Sequence, residues 1–131
     1  MVGLDTNVVL RLMLIDPNAP EQSAKVLAAV QGLPARVHVC QVALAELVWV
    51  VSRTFRFGRS EVADLLTRLL ASPQVDVAGV DEVRSALAAY QTSRADFADH
   101  LIAALNRASG CATTLTFDKT AANSPDFTLL A

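Results

Sequence analysis

Short runs rich in β-branched residues alternate with longer segments of helical periodicity along the whole chain. Strand candidates fall at Val2–Leu4, Arg36–Cys40, Val75–Ala78, Ala112–Phe117 and Phe127–Leu130. Helical patterns lie between them over Val8–Leu14, Pro20–Val30, Gln41–Thr54, Ser60–Ala71, Asp81–Gln91 and from Asp96 to Ser109–Gly110. Strands that alternate with helices imply a parallel sheet covered on both faces. The expectation is one α/β domain over residues 1–131, with a central parallel sheet of about four to five strands flanked by helices.

Local signals set the expected boundaries. Pro20 stands in a first turn and Gly32 beyond a last one. Ser60 and Asp81 read as caps, and Ser72-Pro73 ends a helix. Val2-Gly3-Leu4 reads as a short buried strand ending in Asp5 at the mouth of a helix. Gln41–Thr54 is apolar round most of its circumference, which predicts a largely buried helix.

Only 18% of residues are charged, against roughly 25% in typical domains, while 53% are hydrophobic and 5% aromatic. The core is therefore aliphatic and alanine-rich. So little charge also suggests apolar surface covered by another chain, in a homodimer or by a tight protein partner. The net charge of −2 provides no global basic field, so a polyanionic substrate must be held locally by arginines or metal ions. Cys40 and Cys111 belong to no CxxC pair and read as reduced thiols; His38, Cys40 and His100 match no zinc-ligand spacing. There is no basic leader ahead of Asp5 and no apolar run of membrane-spanning length. These features predict a soluble, cytoplasmic protein with no membrane segment.

Several acids lack local partners. Three and four residues from Glu46 stand Val42, Ala43, Trp49 and Val50, none of them cationic. A carboxylate on a buried apolar helix is costly unless a cation or several donors meet it; the plainer reading is a Glu on a narrow solvent stripe. Asp96 and Asp99 are three apart and share a helix face. They could form an acidic capping box, yet Ala95, Phe97, Ala98, Leu101, Ile102 and Ala103 make their surroundings apolar. Asp5 and Asp118 each follow a strand, although an acid at a strand-to-helix junction is also a common N-cap. In a parallel sheet Asp5, Glu46, Asp99 and Asp118 all belong to the carboxyl edge, where open α/β sheets bind ligands. Clustered carboxylates need raised pKa values or bound cations. Hard oxygen ligands suit Mg²⁺ or Mn²⁺, and such sites are typical of two-metal phosphodiester hydrolysis.

Asp5-Thr6-Asn7, Ala45-Glu46-Leu47, Asp96-Phe97-Ala98-Asp99 with Ile102, and Thr116-Phe117-Asp118 together resemble the PIN domain, and within it VapC-type toxin ribonucleases. The resemblance covers nearly the whole chain. It implies a Mg²⁺- or Mn²⁺-dependent endoribonuclease, usually a homodimer, neutralised by a cognate VapB-like antitoxin. Asp5, Glu46, Asp99 and Asp118 match the acidic quartet as catalytic and metal-binding residues, with Asp96 as a second-rank ligand. Thr6, Asn7 and Thr116 look like supporting residues that orient the acids. A metal-activated water would attack the RNA phosphorus in line, with no side-chain nucleophile. Arg11, Arg53, Arg56 and Arg59 are candidate phosphate contacts, although singly each reads as an ordinary solvated arginine.

Other readings fit less well. A haloacid-dehalogenase-like phosphatase needs a second Asp where Asn7 stands. A flap-nuclease relative brings more length and basic clamps. A receiver domain needs an early acidic pair and a phosphoacceptor at the third strand, where only Asp76 lies within the strand. An RNA-processing PIN nuclease outside a toxin–antitoxin system, and an inert RNA- or protein-binding PIN module, remain the alternatives.

Overall fold

The alternation of strands and helices is realised throughout the computed structural model, which describes residues 1–131. The order is β1 (Val2–Gly3), α1 (Thr6–Met13), α2 (Pro20–Gln31), β2 (Val37–Val39), α3 (Gln41–Arg53), α4 (Arg59–Ala71), β3 (Val75–Val77), α5 (Val80–Gln91), α6 (Phe97–Ala108), β4 (Thr114–Thr116), a 3₁₀ turn (Ala121–Asn123) and β5 (Phe127–Leu129). The chain divides into two compact units, Met1–Ala78 and Gly79–Ala131. The strand pairing follows the same division. β1, β2 and β3 form one sheet in that order, and β4 pairs with β5 in a second. All the pairs are parallel. Five strands are thus present as expected, but they are hydrogen-bonded as three and two rather than as one central sheet.

In the first unit the side-chain period of two sorts β2 and β3 cleanly. Val37, Val39, Val75 and Val77 are buried, while His38 and Asp76 point to the other face and are register partners. Val9 and Leu10 of α1, Leu44, Leu47 and Val51 of α3, and Val62, Leu65, Leu66 and Leu69 of α4 complete the buried aliphatic set. β1 departs from its expected burial. It pairs only with β2, at the edge of the sheet, and both of its residues are exposed.

Three helix starts show backbone chemistry overriding composition. α1 begins at Thr6, not Val8, because Asp5 Oδ1 accepts the Val8 amide at 3.1 Å and so draws the preceding residues into the first turn. α4 is capped by Gly58 rather than Ser60. There the Glu61 carboxylate reaches back to the Gly58 amide at 3.1 Å, which satisfies an otherwise orphaned donor. α5 follows Gly79, whose φ of 60° lies in the left-handed region open to glycine. Asp81 then sits inside the first turn, where its charge complements the helix dipole without capping.

In the second unit α5 and α6 pack along one another. Val83, Ala86, Leu87, Tyr90, Phe97, Leu101, Ala103 and Ala104 are buried on them, with the Tyr90 and Phe97 rings edge to face at 6.0 Å and 87°. α6 ends as expected at Gly110, at φ 95°. Both cysteines are free and exposed. No helix is long and apolar enough to cross a membrane.

Candidate active site

Three of the expected acids belong to the second unit and influence one another. Asp96 is the N-cap residue of α6, yet its side chain makes no capping hydrogen bond, so the acidic capping box is not formed in full. Asp99 lies one turn into the helix and is half-buried. Burial pushes its carboxyl above the ordinary aspartate range, and the negative charges of Asp96 and then Asp118 push the same way. A hydrogen bond with the Asp96 main chain and the charge of His100 oppose the rise. Asp118 is therefore near enough to Asp99 to be felt electrostatically, although 19 residues separate them in sequence.

Asp118 is fixed by the backbone on both sides. Its amide donates to Thr116 Oγ1 at 2.9 Å, and its Oδ1 accepts the amides of Thr120 at 2.8 Å and Ala121 at 3.1 Å. The short polar side chains at the end of β4 thus bend the chain into the 3₁₀ turn. Oδ2 takes no part in these bonds. Thr116, expected to support the acids, holds the main chain of Asp118 rather than its carboxylate.

Two further acids belong to the first unit. Asp5 is exposed and serves as the N-cap of α1, with Thr6 and Asn7 as the first two helical residues. Its Oδ1 is engaged by Val8, so the expected acid and the cap it could have been are the same residue. Glu46 is exposed on α3, which favours the solvent-stripe reading and corrects the expectation of a largely buried helix. The outer stripe of α3 is apolar but open, with Val42 71% and Trp49 61% exposed. Periodicity alone does not separate an apolar residue that is buried from one left at the surface.

The arginines differ in how they are committed. Arg11 donates from Nε to Gln22 Oε1 and faces Asp16 at 4.0 Å, so its charge ties α1 to the loop and to α2. The Arg53 guanidinium stands 5.8 Å from the centre of the Trp49 ring. Arg56 and Arg59 are exposed, and Arg56 adopts a left-handed φ of 56° in the loop after α3.

An ion pair that nothing in the sequence pattern singled out lies on the sheet. His38 Nδ1 meets Asp76 Oδ2 at 2.7 Å, and Arg36 stands 3.7 Å from the other oxygen of Asp76. Its only sequence signal was the occurrence of three polar residues within two strand candidates.

The donor set can be tested against a divalent cation. No three acidic, imidazole or thiol side chains converge as a ready-made ligand cage. Yet Asp99 is a partly desolvated hard oxygen donor that feels the negative charges of Asp96 and Asp118, both exposed. A small hard cation is the partner that such charges favour. The residue types fit the ion, although they are not gathered into a finished site.

A model of the PIN domain family matches residues 2–125. No curated protein matches the chain. The PIN domain is generally a metal-dependent nuclease fold, in keeping with the strand-end and helix-start acids described above. The chain belongs to the PIN domain family.

Proposed function

We propose that this protein is a divalent-metal-dependent endoribonuclease that hydrolyses RNA phosphodiesters, with residues 1–131 acting as one nuclease domain. The observation that carries the proposal is the PIN family match over residues 2–125 with the motif acids Asp5, Glu46, Asp99 and Asp118 in place. The raised carboxyl of Asp99 beside Asp96 and Asp118 is in keeping with it. Acids whose charges oppose each other cost stability unless they serve a cation. Asp99 and Asp118 would hold Mg²⁺ or Mn²⁺, with Asp96 as an auxiliary ligand; Asp5 and Glu46 are the two remaining acids that the motif resemblance assigns to the quartet. When bound, such an ion polarises the phosphoryl oxygens and activates water as the nucleophile.

The chain's own residues prepare the site. The Thr120 and Ala121 amides hold Asp118 Oδ1 and so fix the direction of the carboxylate. Thr116 pins the Asp118 amide in the same turn. The Val8 amide orients Asp5 in like manner. Arg53, Arg56 and Arg59 are exposed and are the candidate phosphate contacts on a chain of net charge −2. Thr6 and Asn7 flank Asp5 as supporting residues.

The finer assignment is to a VapC-type toxin that forms a homodimer and is neutralised by a VapB-like antitoxin in the cytoplasm. Its support is the motif resemblance, together with exposed apolar side chains such as Ile15, 74% exposed, and Phe117, 78% exposed, which suit a covering chain. The central test incubates the purified protein with single-stranded RNA, single-stranded DNA and a chromogenic phosphodiester. Internal RNA cleavage that needs Mg²⁺ or Mn²⁺, stops with chelator and is lost in Asp99→Asn is the expected result. Uncut RNA at all metal concentrations, or full activity in Asp99→Asn, overturns the proposal.

A further inference from the structure

Trp49 is the chain's one tryptophan, and it is 61% exposed. Tyr90, Phe97 and Phe127 of the second unit are buried as core, whereas Phe117 is 78% exposed but has no cation stacked on it. Val42, Glu46, Trp49 and Arg53 follow at steps of four, three and four residues, so they form one stripe along α3. Glu46 and Trp49 are about 4.5 Å apart along the helix axis. The Arg53 guanidinium stands over the indole beyond them. A proposed site acid, an exposed indole and the cation that stands over one of its faces therefore follow each other along one ridge.

We propose that Trp49 is a stacking platform for an unpaired RNA base next to Glu46, with Arg53 meeting the phosphate of that nucleotide. The inference rests on the nuclease reading for the role of Glu46, and it names the substrate as single-stranded. A chain with net charge −2 gains little from a general electrostatic attraction to RNA. Stacking supplies affinity that depends on neither net charge nor base identity. In a duplex the bases are already stacked and their faces are inaccessible, so the platform selects single strands, loops and ends. Covering the same ridge with a protein helix would strip water from the Glu46 carboxylate. That carboxylate has no cationic residue three or four positions away on its own helix to offset the loss. A nucleotide covers the ring and leaves the carboxylate wet.

Because no other tryptophan is present, intrinsic fluorescence reports this residue alone. The full chain carrying Asp99→Asn, titrated with a short single-stranded RNA, should show saturable quenching that a duplex of the same sequence does not give. In the active protein, Trp49→Ala should raise KM for single-stranded RNA by roughly ten-fold with kcat little changed, and Trp49→Phe should restore most of the loss. Unchanged helical circular dichroism in both variants separates this effect from misfolding. The proposal is overturned if labelled RNA binds by anisotropy without altering the fluorescence, or if Trp49→Ala leaves KM unchanged. It is equally overturned if the emission shifts with protein concentration in the absence of RNA, which would mean that a second copy covers the ring. The titration needs no turnover, so it decides the stacking claim even where the cleavage assay fails and the nuclease reading falls by itself.

Discussion

Thr116 and Asp118 share one turn of backbone: the Asp118 amide donates to Thr116 Oγ1 at 2.9 Å, while Asp118 Oδ1 receives two amides from the following turn. Asp118 therefore carries a structural duty on one oxygen, and the proposed metal-binding role would fall to the other. The two duties separate by mutation. Asp118→Asn keeps an oxygen for the Thr120 and Ala121 amides, so its stability should fall by under about 1 kcal/mol while RNA cleavage is lost. Asp118→Ala should lose cleavage and about 1 kcal/mol of stability as well. Urea denaturation alongside a cleavage assay checks both, and equal stability of the two variants would refute the division of labour.

Thr116 acts through Asp118. Thr116→Val removes the hydroxyl acceptor with little change of shape, leaving the Asp118 amide to seek water. The expected result is a loss of about 0.5–1.5 kcal/mol and a fall of about ten-fold in the apparent affinity for Mg²⁺, with Thr116→Ser close to the original protein. A variant that responds to Mg²⁺ as the original does would show that Thr116 does not position the acid.

His38 and Asp76 make the contrasting case, a polar pair with a duty to the fold alone. They face each other across β2 and β3 at 2.7 Å, with Arg36 on the second oxygen and also donating to Val75 O at 2.7 Å. The side chains of His38 and Asp76 are about a third exposed, so solvent weakens the pair. Asp76→Ala should cost about 1 kcal/mol and leave RNA cleavage per folded molecule unchanged. Loss of cleavage with stability intact would place this pair in the chemistry instead.

These residues also mark where the sequence could be read and where it could not. Local rules worked where the partner is local: Pro20 opening α2, Asp5 ahead of α1 and Gly110 closing α6 are each decided within a few residues. They failed where two capping solutions compete, because Glu61 at the third helical position selects Gly58 over Ser60. The electrostatic link between Asp99 and Asp118 had a sequence signal, since a helix-start acid and a strand-end acid both belong to the carboxyl edge of a parallel sheet. The link between His38 and Asp76 had only polar residues within strand candidates to mark it, since a parallel register across 38 residues is set by the whole fold. The burial of α3 was misjudged for a simple reason: an apolar composition describes transfer preference, and a binding face can carry the same residues as a core.

Phe97 anchors the start of α6 immediately after Asp96. It is 1% exposed and meets the edge of Tyr90. Phe97→Ala should cost about 3–5 kcal/mol through lost burial and a residual cavity, and Phe97→Leu distinctly less. Because Asp96 and Asp99 flank this ring, cleavage in Phe97→Leu should fall more than stability does. Thermal denaturation paired with kcat tests this, and a variant with unaltered kcat would uncouple the ring from the acids.

Asp99 supplies the pH prediction. Its folded carboxyl is raised by burial, by Asp96 and by Asp118, so the folded state holds that proton more tightly than the unfolded chain. The stabilisation this gives is fully present below the ordinary aspartate range and is lost as pH rises through the folded value. At neutral pH the metal-free protein therefore carries an unfavourable charge, and Asp99→Asn should be the more stable of the two. That advantage should disappear on acidification, when Asp99 itself becomes neutral. Mg²⁺ should reverse the order at neutral pH: at one hundred times its dissociation constant a bound ion adds about 2.7 kcal/mol, a rise of several degrees in Tm, and Asp99→Asn should gain far less. Thermal melts of both proteins across pH, with Mg²⁺ and with chelator, read all four conditions directly. If Mg²⁺ raises the two melting temperatures equally, the crowded carboxylates are not where the cation is held.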